Sequence, residues 1–163
     1  MRPMTQILTV TLNPTVDISS DTEVVRPTRK TRTTRLRHDP GGGGVNVARV
    51  VAVLGGEAEA VFLAGGEIGS LLDRLLGAEG IRRHLVPIAG QTRIGVVIHE
   101  KSTGLEYRFV PAGPDIGPEE LAPCFDLVAA HTGAYVVASG SLPAGVPGDT
   151  YARMADATAA RGA

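Results

Sequence analysis

PGGGGVNVAR, residues 40–49, places four consecutive glycines directly before an apolar pattern. Glycine has no Cβ, so it reaches backbone conformations closed to other residues and lets a ligand approach main-chain N–H groups. The apolar residues recur at helical spacing up to Leu54, and two glycines at 55–56 stop the pattern. We therefore predict a ligand-binding loop that leads into a helix starting near Val45. The unpaired N–H groups and positive dipole end of such a helix suit a phosphate or a polyol.

A flexible turn is the simpler alternative for four glycines. A linker, however, does not require an apolar helix behind it. Two known phosphate-binding designs do not fit, because no Gly-Lys-Ser/Thr ending follows and because Asn46, three residues after Gly43, stands where the dinucleotide fingerprint has glycine. The preceding residues 33–39 are also too polar for the buried strand of a dinucleotide-binding fold.

Composition predicts one globular domain. The chain has 163 residues, 43% of them hydrophobic, and a net charge of −1. It shows no signal-peptide pattern and no apolar run long enough to span a membrane, so we expect a cytoplasmic protein without a membrane partner.

Cys124 is the only cysteine, which excludes an intramolecular disulfide and predicts an unreactive buried thiol. The scattered histidines lack the spacing of a metal site, so any metal would arrive with a nucleotide.

The chain alternates between β-prone and helical segments, which predicts an α/β fold with a layered, mostly parallel sheet flanked by helices. Strands are expected at 7–12, 59–64 and 135–139. Helices are expected at 69–79, with a turn after it, at 118–130 and at 149–160. The segments from about 19–39 and 93–110 are polar or hairpin-like, with a turn signal at 101–104. We expect them to form a small protruding antiparallel β-sheet apart from the main one.

Six basic side chains occur within residues 26–37. Such a cluster could form a nucleic-acid arm, with 28–37 as the contact segment. No aromatic residue lies in this segment to stack on bases, and the sequence pI of about 6.4 is slightly acidic. A solvated strand face is the simplest interpretation, a phosphate-steering sheet is the functional one, and we expect no nucleic-acid partner.

Five motifs occur in order along the chain: NPTVD at 13–17, PGGGGVNVAR at 40–49, LGG at 54–56, TR at 92–93 and SGSLP at 139–143. Together they resemble the ribokinase-like PfkB family of carbohydrate kinases. Four glycines in the loop resemble the 6-phosphofructokinase type, whereas fructose-1-phosphate and tagatose-6-phosphate kinases usually have Gly-Gly-Lys-Gly. The resemblance covers residues 1–163 and about the first half of the family's length.

Two predicted strands end in residues that could bind a ligand. Asp17 follows the strand at 7–12, Ser141 follows the strand at 135–139, and ligands bind at the carboxyl ends of strands in open α/β sheets. Taken alone, an aspartate in this position is more often a turn former. In the family that the chain resembles, however, the matching aspartate accepts hydrogen bonds from sugar hydroxyls. Ser141 is not expected to be a nucleophile, because no His-Asp partnership accompanies it.

The resemblance also implies a substrate site that includes Gly42, Gly43 and Asn46 of the glycine loop. Arg93 opens the hairpin, and a guanidinium can grip a phosphate through two hydrogen bonds. An arginine at a strand edge is usually only solvated, but in the family an arginine at this position contacts the phosphate of the substrate. Arg108 could assist it.

The small sheet is implied to be a lid over the sugar that pairs two subunits, so we expect a homodimer in the full-length form. Lys30 matches a position that, in the 6-phosphofructokinase type, reaches into the active site, often of the neighbouring subunit, for nucleotide or phosphate. The family also implies ATP and Mg²⁺. Its Gly-Ala-Gly-Asp segment supplies the catalytic aspartate and an anion hole, and an Asn-x-x-Glu segment assists with magnesium. Neither string occurs in the chain, so we expect no catalytic residue and no metal ligand before Ala163.

The first functional interpretation is an ATP-dependent phosphofructokinase that converts fructose 6-phosphate to fructose 1,6-bisphosphate. This chain would carry the sugar-binding part and be inactive alone. A fructose-1-phosphate or tagatose-6-phosphate kinase is one alternative, and a non-catalytic sugar-phosphate-binding domain is another.

Overall fold

A computed structural model describes residues 7–159 of the chain. In chain order its elements are β1 (Ile7–Thr11), β2 (Thr15–Thr22), β3 (Thr34–Gly41), α1 (Gly43–Val53), β4 (Ala58–Ala64), α2 (Gly66–Ala78), β5 (Arg82–Pro87), β6 (Arg93–Glu100), β7 (Glu106–Phe109), α3 (Pro118–Ala130), β8 (Tyr135–Ala138) and α4 (Thr150–Ala159). They form two four-stranded sheets. No helix in the described part of the chain is long and apolar enough to cross a bilayer.

The main sheet has the order β5-β4-β1-β8 and is parallel throughout. Alternate residues of a strand face opposite sides of a sheet, so β1 directs Leu8 and Val10 to one face and Thr9 and Thr11 to the other. The first face packs with residues of α3 and α4, and the second face packs with residues of α1 and α2. This three-layer arrangement confirms the predicted α/β fold, and it brings the ends of β1 and β8 side by side.

Cys124 of α3 is buried in the first of these cores. Burial raises the pKa of this thiol to about 12, because the charged thiolate would lose its hydration. The residue therefore stays a neutral thiol that contributes to packing, as the sequence predicts.

The main-sheet prediction is wrong in one region. The residues after α2 form β5, an edge strand paired in parallel with β4, and not the expected turn alone. Its side chains are mostly exposed and it contains two arginines and a histidine, so it lacks the apolar signal of a buried strand. The strand therefore depends on hydrogen bonding of its main chain to β4 and not on burial of its side chains.

The second sheet has the order β3-β2-β6-β7 and lies outside the main sheet. Its strands β2 and β6 pair in parallel, whereas the sequence predicted only antiparallel pairing. It also begins earlier than expected, at Thr15, so Asp17 lies inside β2 and not in a loop. A bulge interrupts the pairing of β2 with β3, and the positive φ of 56° at Arg35 marks the extra residue there.

The two faces of the second sheet differ in chemistry. The strand registers place Asp17, Ser19 and Asp21 on the same face as Arg93 and Arg108. The opposite face carries Val16, Ile18, Val96, Ile98, Tyr107 and Phe109. Only its base, at Val16, belongs to the core under α2, while Phe109, at the end of the edge strand β7, is 63% exposed. The sheet thus presents a polar face on the side of Asp17 and a partly uncovered apolar face on the other.

A buried carboxylate holds the loop that joins β2 to β3. Glu100, only 4% exposed, accepts hydrogen bonds from the Val25 N–H at 2.6 Å, the Thr103 hydroxyl at 2.6 Å and the Tyr107 hydroxyl at 3.2 Å. The bonds from Thr103 and Val25 lower the pKa of Glu100, because they favour the ionised form. Glu100 therefore ties the start of loop 23–33, which carries Lys30, to β6.

The apolar stripe of α1 faces outward. The helix buries Gly44, Val45 and Ala48, whereas Val53 is 87% exposed and Leu54 is 80% exposed. An open depression of about 700 Å³ runs along this stripe. The helix exists as predicted, and Val45 and Val51 pack toward the sheet, but Val50 and Leu54 of the predicted apolar pattern are exposed.

We expect this stripe to make the isolated chain self-associate, because contiguous exposed apolar surface promotes contacts between molecules. Val53→Lys should shift the sedimentation profile toward monomer, since it places a charge in the stripe and a cation is favourable in the last turn of a helix. Ser102→Lys, in the exposed hairpin turn, adds the same charge elsewhere and should leave the profile unchanged. A wild-type chain that is monomeric at all concentrations would contradict this expectation.

Candidate functional site

The glycine loop packs directly against the carboxyl ends of β1 and β8. Gly42 has φ of 122°, which side chains rarely tolerate. A Cβ on Gly43 would lie 2.6 Å from the Gly140 nitrogen and from the Ser139 carbonyl carbon. Glycine is therefore needed at 42 for backbone conformation and at 43 for close packing against the segment that holds Ser141.

The N-terminus of α1 offers fewer free donors than the sequence predicts. Gly44 N–H donates to the Ser139 carbonyl at 3.3 Å, and Val45 N–H donates to the Thr11 hydroxyl at 2.8 Å. Within residues 7–159, the N–H groups of Gly42 and Gly43 have no acceptor. These two remain available to a ligand, next to the positive end of the helix dipole.

Asp17 lies in a slot made by two glycines on the neighbouring strands. A Cβ on Gly41 or on Gly95 would collide with one or the other carboxylate oxygen of Asp17. The side chain is half-buried, and no donor in the described part of the chain forms a hydrogen bond with it. A carboxylate held in this way can accept hydrogen bonds from ligand hydroxyls.

Arg93 connects the second sheet to the main sheet. Its guanidinium donates to the backbone carbonyls of Asn13 at 2.8 Å, Pro111 at 2.9 Å and Pro14 at 3.4 Å, and to the Ser141 hydroxyl at 3.4 Å. Partial burial lowers the pKa of Arg93, and the nearby Asp17 carboxylate opposes this shift. A guanidinium has five N–H donors, so one remains free, and a two-bond grip on a phosphate would require Arg93 to release a protein contact.

Ser141 and Arg93 are thus in contact, and Gly43 lies beside the segment that leads to Ser141. Asp17 lies on the same face of the second sheet as Arg93, with Thr15 of β2 paired directly with Arg93 of β6. Five of the predicted residues therefore lie near one another where the two sheets meet, a region called the crevice below: Asp17, Gly42, Gly43, Arg93 and Ser141.

Three other predicted residues lie around or away from this crevice. Asn46 is one helical turn after Gly42, on the exposed side of α1. Arg108 shares the polar face of the second sheet but pairs with Glu106 at 2.9 Å. Lys30 is exposed in loop 23–33, beyond the end of β2. Five strand residues, about 17 Å, separate Asp17 from that end. The Thr22 hydroxyl donates to the Arg32 carbonyl at 3.2 Å, which holds the part of the loop around Lys30 near that end and away from Asp17 of its own chain.

Residues 7–159 contain no group of three or more His, Cys, Asp or Glu side chains placed to hold a metal ion. Such a group would be needed for an ion held by protein side chains alone, whereas Mg²⁺ is often bound by one or two carboxylates together with phosphates. The free donors of Gly42 and Gly43 fit a phosphate or a sugar oxygen equally well and do not identify a nucleotide.

Sequence reasoning gave no role to several residues that shape the site. Thr11 caps the N–H of Val45, and Asn13 contacts Ser141. Gly41 and Gly95 provide the slot for Asp17. Asn13 stood in a quoted motif, and Thr11 lies two residues before it, at the end of β1. Gly41 stood in the glycine loop, whereas Gly95 carried no signal, because its importance depends on the register of three strands.

The sequence profile described as "pfkB family carbohydrate kinase" matches residues 8–163. The ATP-dependent 6-phosphofructokinase isozyme 2 of Mycobacterium tuberculosis (strain H37Rv) is 50% identical over 153 residues, which cover 93% of this chain and 45% of that protein. The 1-phosphofructokinase of Xanthomonas campestris is 32% identical over 160 residues, 97% of this chain and 50% of that protein. The chain thus spans about half the length of the curated relatives it matches.

The fold of the chain is also similar to that of a phosphofructokinase. The crystal structure of phosphofructokinase-2 from Escherichia coli in complex with fructose-6-phosphate matches with a TM-score of 0.91 and 38% identity, covering 98% of this chain and 53% of that one. Sequence and architecture therefore agree across nearly the whole chain. This chain belongs to the pfkB family of carbohydrate kinases.

Proposed function

We propose that this chain carries the sugar-phosphate-binding part of an ATP-dependent phosphofructokinase, with fructose 6-phosphate as the preferred substrate. The observation that carries the proposal is the half-buried carboxylate of Asp17, which has no hydrogen-bond donor within residues 7–159 and lies on the same face as Arg93. An acceptor beside a cluster of donors is the arrangement that a phosphorylated polyol requires.

The two parts of the crevice have complementary chemistry. The Asp17 carboxylate accepts hydrogen bonds from sugar hydroxyls. The N–H groups of Gly42 and Gly43 donate to oxygens of the ligand. Arg93 supplies positive charge and its remaining N–H toward the phosphate, and Ser141 adds a hydroxyl. These residues bind and orient the sugar phosphate, and none of them is assigned the transfer of the acceptor proton.

Two observations support fructose 6-phosphate over other sugar phosphates. The M. tuberculosis relative is more similar to this chain than the 1-phosphofructokinase of X. campestris, at 50% against 32% identity. The loop also has glycine at all four positions from 41 to 44, as in the 6-phosphofructokinase type. Fructose 1-phosphate and tagatose 6-phosphate are the alternatives.

ATP and Mg²⁺ are proposed as the cofactors of the complete enzyme, where the metal ion would neutralise charge on the phosphates during transfer. We propose the cytoplasm as the location of the complete enzyme.

A homodimer through the second sheet is supported by the partly uncovered apolar face of this sheet, which includes Phe109. The exposed position of Lys30 suits contribution to a neighbouring subunit, since it is distant from Asp17 of its own chain.

Titration calorimetry with a panel of ligands tests the proposal. Fructose 6-phosphate should bind most tightly to the chain, ahead of fructose 1-phosphate and tagatose 6-phosphate. Fructose and inorganic phosphate should each bind at least about 10-fold more weakly, because each fills one part of the crevice and forgoes hydrogen bonds to charged groups. Equal affinity for fructose and fructose 6-phosphate, or tighter binding of fructose 1-phosphate, would contradict the assignment.

A further inference from the structure

Asn13 is a buried polar residue in contact with Ser141 and Arg93 that the proposed function does not use. It follows β1 and is only 4% exposed. Its side-chain Nδ2 donates to the Ala112 carbonyl at 2.8 Å and to the Ser141 Oγ at 3.2 Å. Because only the NH₂ end of the amide can donate to a carbonyl, the Ala112 bond fixes the orientation of the amide. Both Nδ2 hydrogens are then used, while Oδ1 has no partner among the described residues.

The Ser141 hydroxyl receives a second hydrogen bond from the Arg93 guanidinium at 3.4 Å. An amide NH₂ and a guanidinium are donors only, so Ser141 must act as the acceptor in both contacts. A hydroxyl has two lone pairs and one hydrogen, and these contacts occupy both lone pairs. Within residues 7–159, no acceptor lies at hydrogen-bonding distance from the hydroxyl hydrogen. Ser141 is itself exposed, so this hydrogen is available to a ligand.

We propose that Asn13 is a positioning residue that, together with Arg93, fixes the Ser141 hydroxyl as a hydrogen-bond donor toward the phosphate group of the bound sugar phosphate. This inference rests on the proposed function for the identity of the ligand. A donor fixed in this way requires an oxygen that accepts, which an ionised phosphoryl oxygen always does. The crevice is then divided, with Asp17 as acceptor for hydroxyls and Ser141 as donor to phosphate.

A double-mutant cycle on the chain, with calorimetric titration of fructose 6-phosphate, tests whether Asn13 acts through Ser141. Ser141→Ala should lower affinity about 10-fold, the value of one hydrogen bond to a charged group. Asn13→Ala should cause a loss of similar size, and the double variant should bind no more weakly than Ser141→Ala alone. Ser102→Ala, a serine in the exposed hairpin turn, is the matched control and should bind like wild type. An Asn13→Ala loss that is just as large in the Ser141→Ala background would overturn the proposal.

Asn13→Asp provides a second variant of nearly the same shape if Asn13→Ala fails to fold. Its oxygens can only accept, so the Ser141 hydrogen should turn away from the ligand and toward residue 13. The added negative charge also repels phosphate, and this effect is measured alone in the Ser141→Ala background. We expect Asn13→Asp to lose clearly more affinity in the presence of Ser141 than in its absence. Equal losses in the two backgrounds would contradict it.

The NMR couplings between Hα and Hβ of Ser141 test the arrangement without any ligand. Wild type and Ser102→Ala should show the couplings of a single χ1 rotamer, and Asn13→Ala should show averaged couplings. Averaged couplings in the wild-type chain would overturn the inference even if fructose 6-phosphate binds. A fixed rotamer that is lost in Asn13→Ala would support the positioning role even if fructose 6-phosphate fails to bind, in which case the proposed function fails instead.

Discussion

The 163-residue chain is expected to phosphorylate fructose 6-phosphate about 10⁴-fold or more below the rate of a complete phosphofructokinase. A positioned general base contributes ~10²–10⁴-fold, and a group that stabilises the developing anion contributes about 10²–10³-fold. In the PfkB family a Gly-Ala-Gly-Asp segment supplies both, and this string does not occur in the chain. The sugar phosphate would be held in the crevice without an aligned group to accept its proton.

A coupled assay of ATP consumption with fructose 6-phosphate, fructose 1-phosphate and tagatose 6-phosphate measures this activity. The same chain extended by its downstream coding region, if the gene continues, serves as the positive control and should restore turnover. Ordinary sugar-kinase turnover by the 163-residue chain, abolished by Asp17→Ala, would show that the catalytic group lies among these residues after all. An inactive chain that still binds the sugar phosphate would fit either the binding part of a kinase or a non-catalytic binding domain. Turnover by the extended chain would indicate the kinase, and its absence would indicate the binding domain.

Asp17→Ala is expected to cost ~2 kcal/mol of binding free energy, or about 30-fold in affinity for fructose 6-phosphate. The carboxylate has no protein donor within residues 7–159, so its hydrogen-bonding capacity is directed at the ligand. Asp17→Asn is the sharper variant, because an amide fits the same slot between Gly41 and Gly95. It should also lose affinity, since it replaces a charged acceptor by a neutral group without opening a cavity.

Asp156→Ala, in the exposed part of α4, removes the same charge far from the crevice and should bind like wild type. Calorimetry on folded variants, checked by thermal melting, gives the comparison. Unchanged affinity in both Asp17 variants would remove Asp17 from the site. A loss for Asp17→Ala alone would assign its role to packing and not to recognition of hydroxyls.

The sequence predicted the elements that have strong local signals. The apolar β-prone run at 7–12 and the helix with proline at its start, Pro118–Ala130, are both found. The hairpin turn at 101–104 is found as well, with Gly104 at φ of 74°. Each of these signals depends on a few neighbouring residues, so the composition and spacing of the local sequence were sufficient to predict the element.

Pairing between distant strands was harder to predict. The sequence of β5 contains no apolar alternation that would predict a strand. The strand forms because its main chain pairs with β4. The parallel pairing of β2 with β6 joins residues about 80 positions apart, and no local pattern records that register. The slot for Asp17 follows from this register, since Gly95 lies opposite Asp17 on β6. The residues of the site could be named from motifs, but the contacts that orient them could not.

We propose that one crevice binds both the sugar and its phosphate. Amide chemical shifts of the ¹⁵N-labelled chain during titration with fructose 6-phosphate test it most directly. The signals of Gly42, Gly43, Gly95 and Ser141 should move together to saturation with a single dissociation constant. Fructose should move only the signals near Asp17. No saturable shift at these residues, or shifts confined to the groove between α3 and α4 that Phe125 and Arg153 line, would contradict the account.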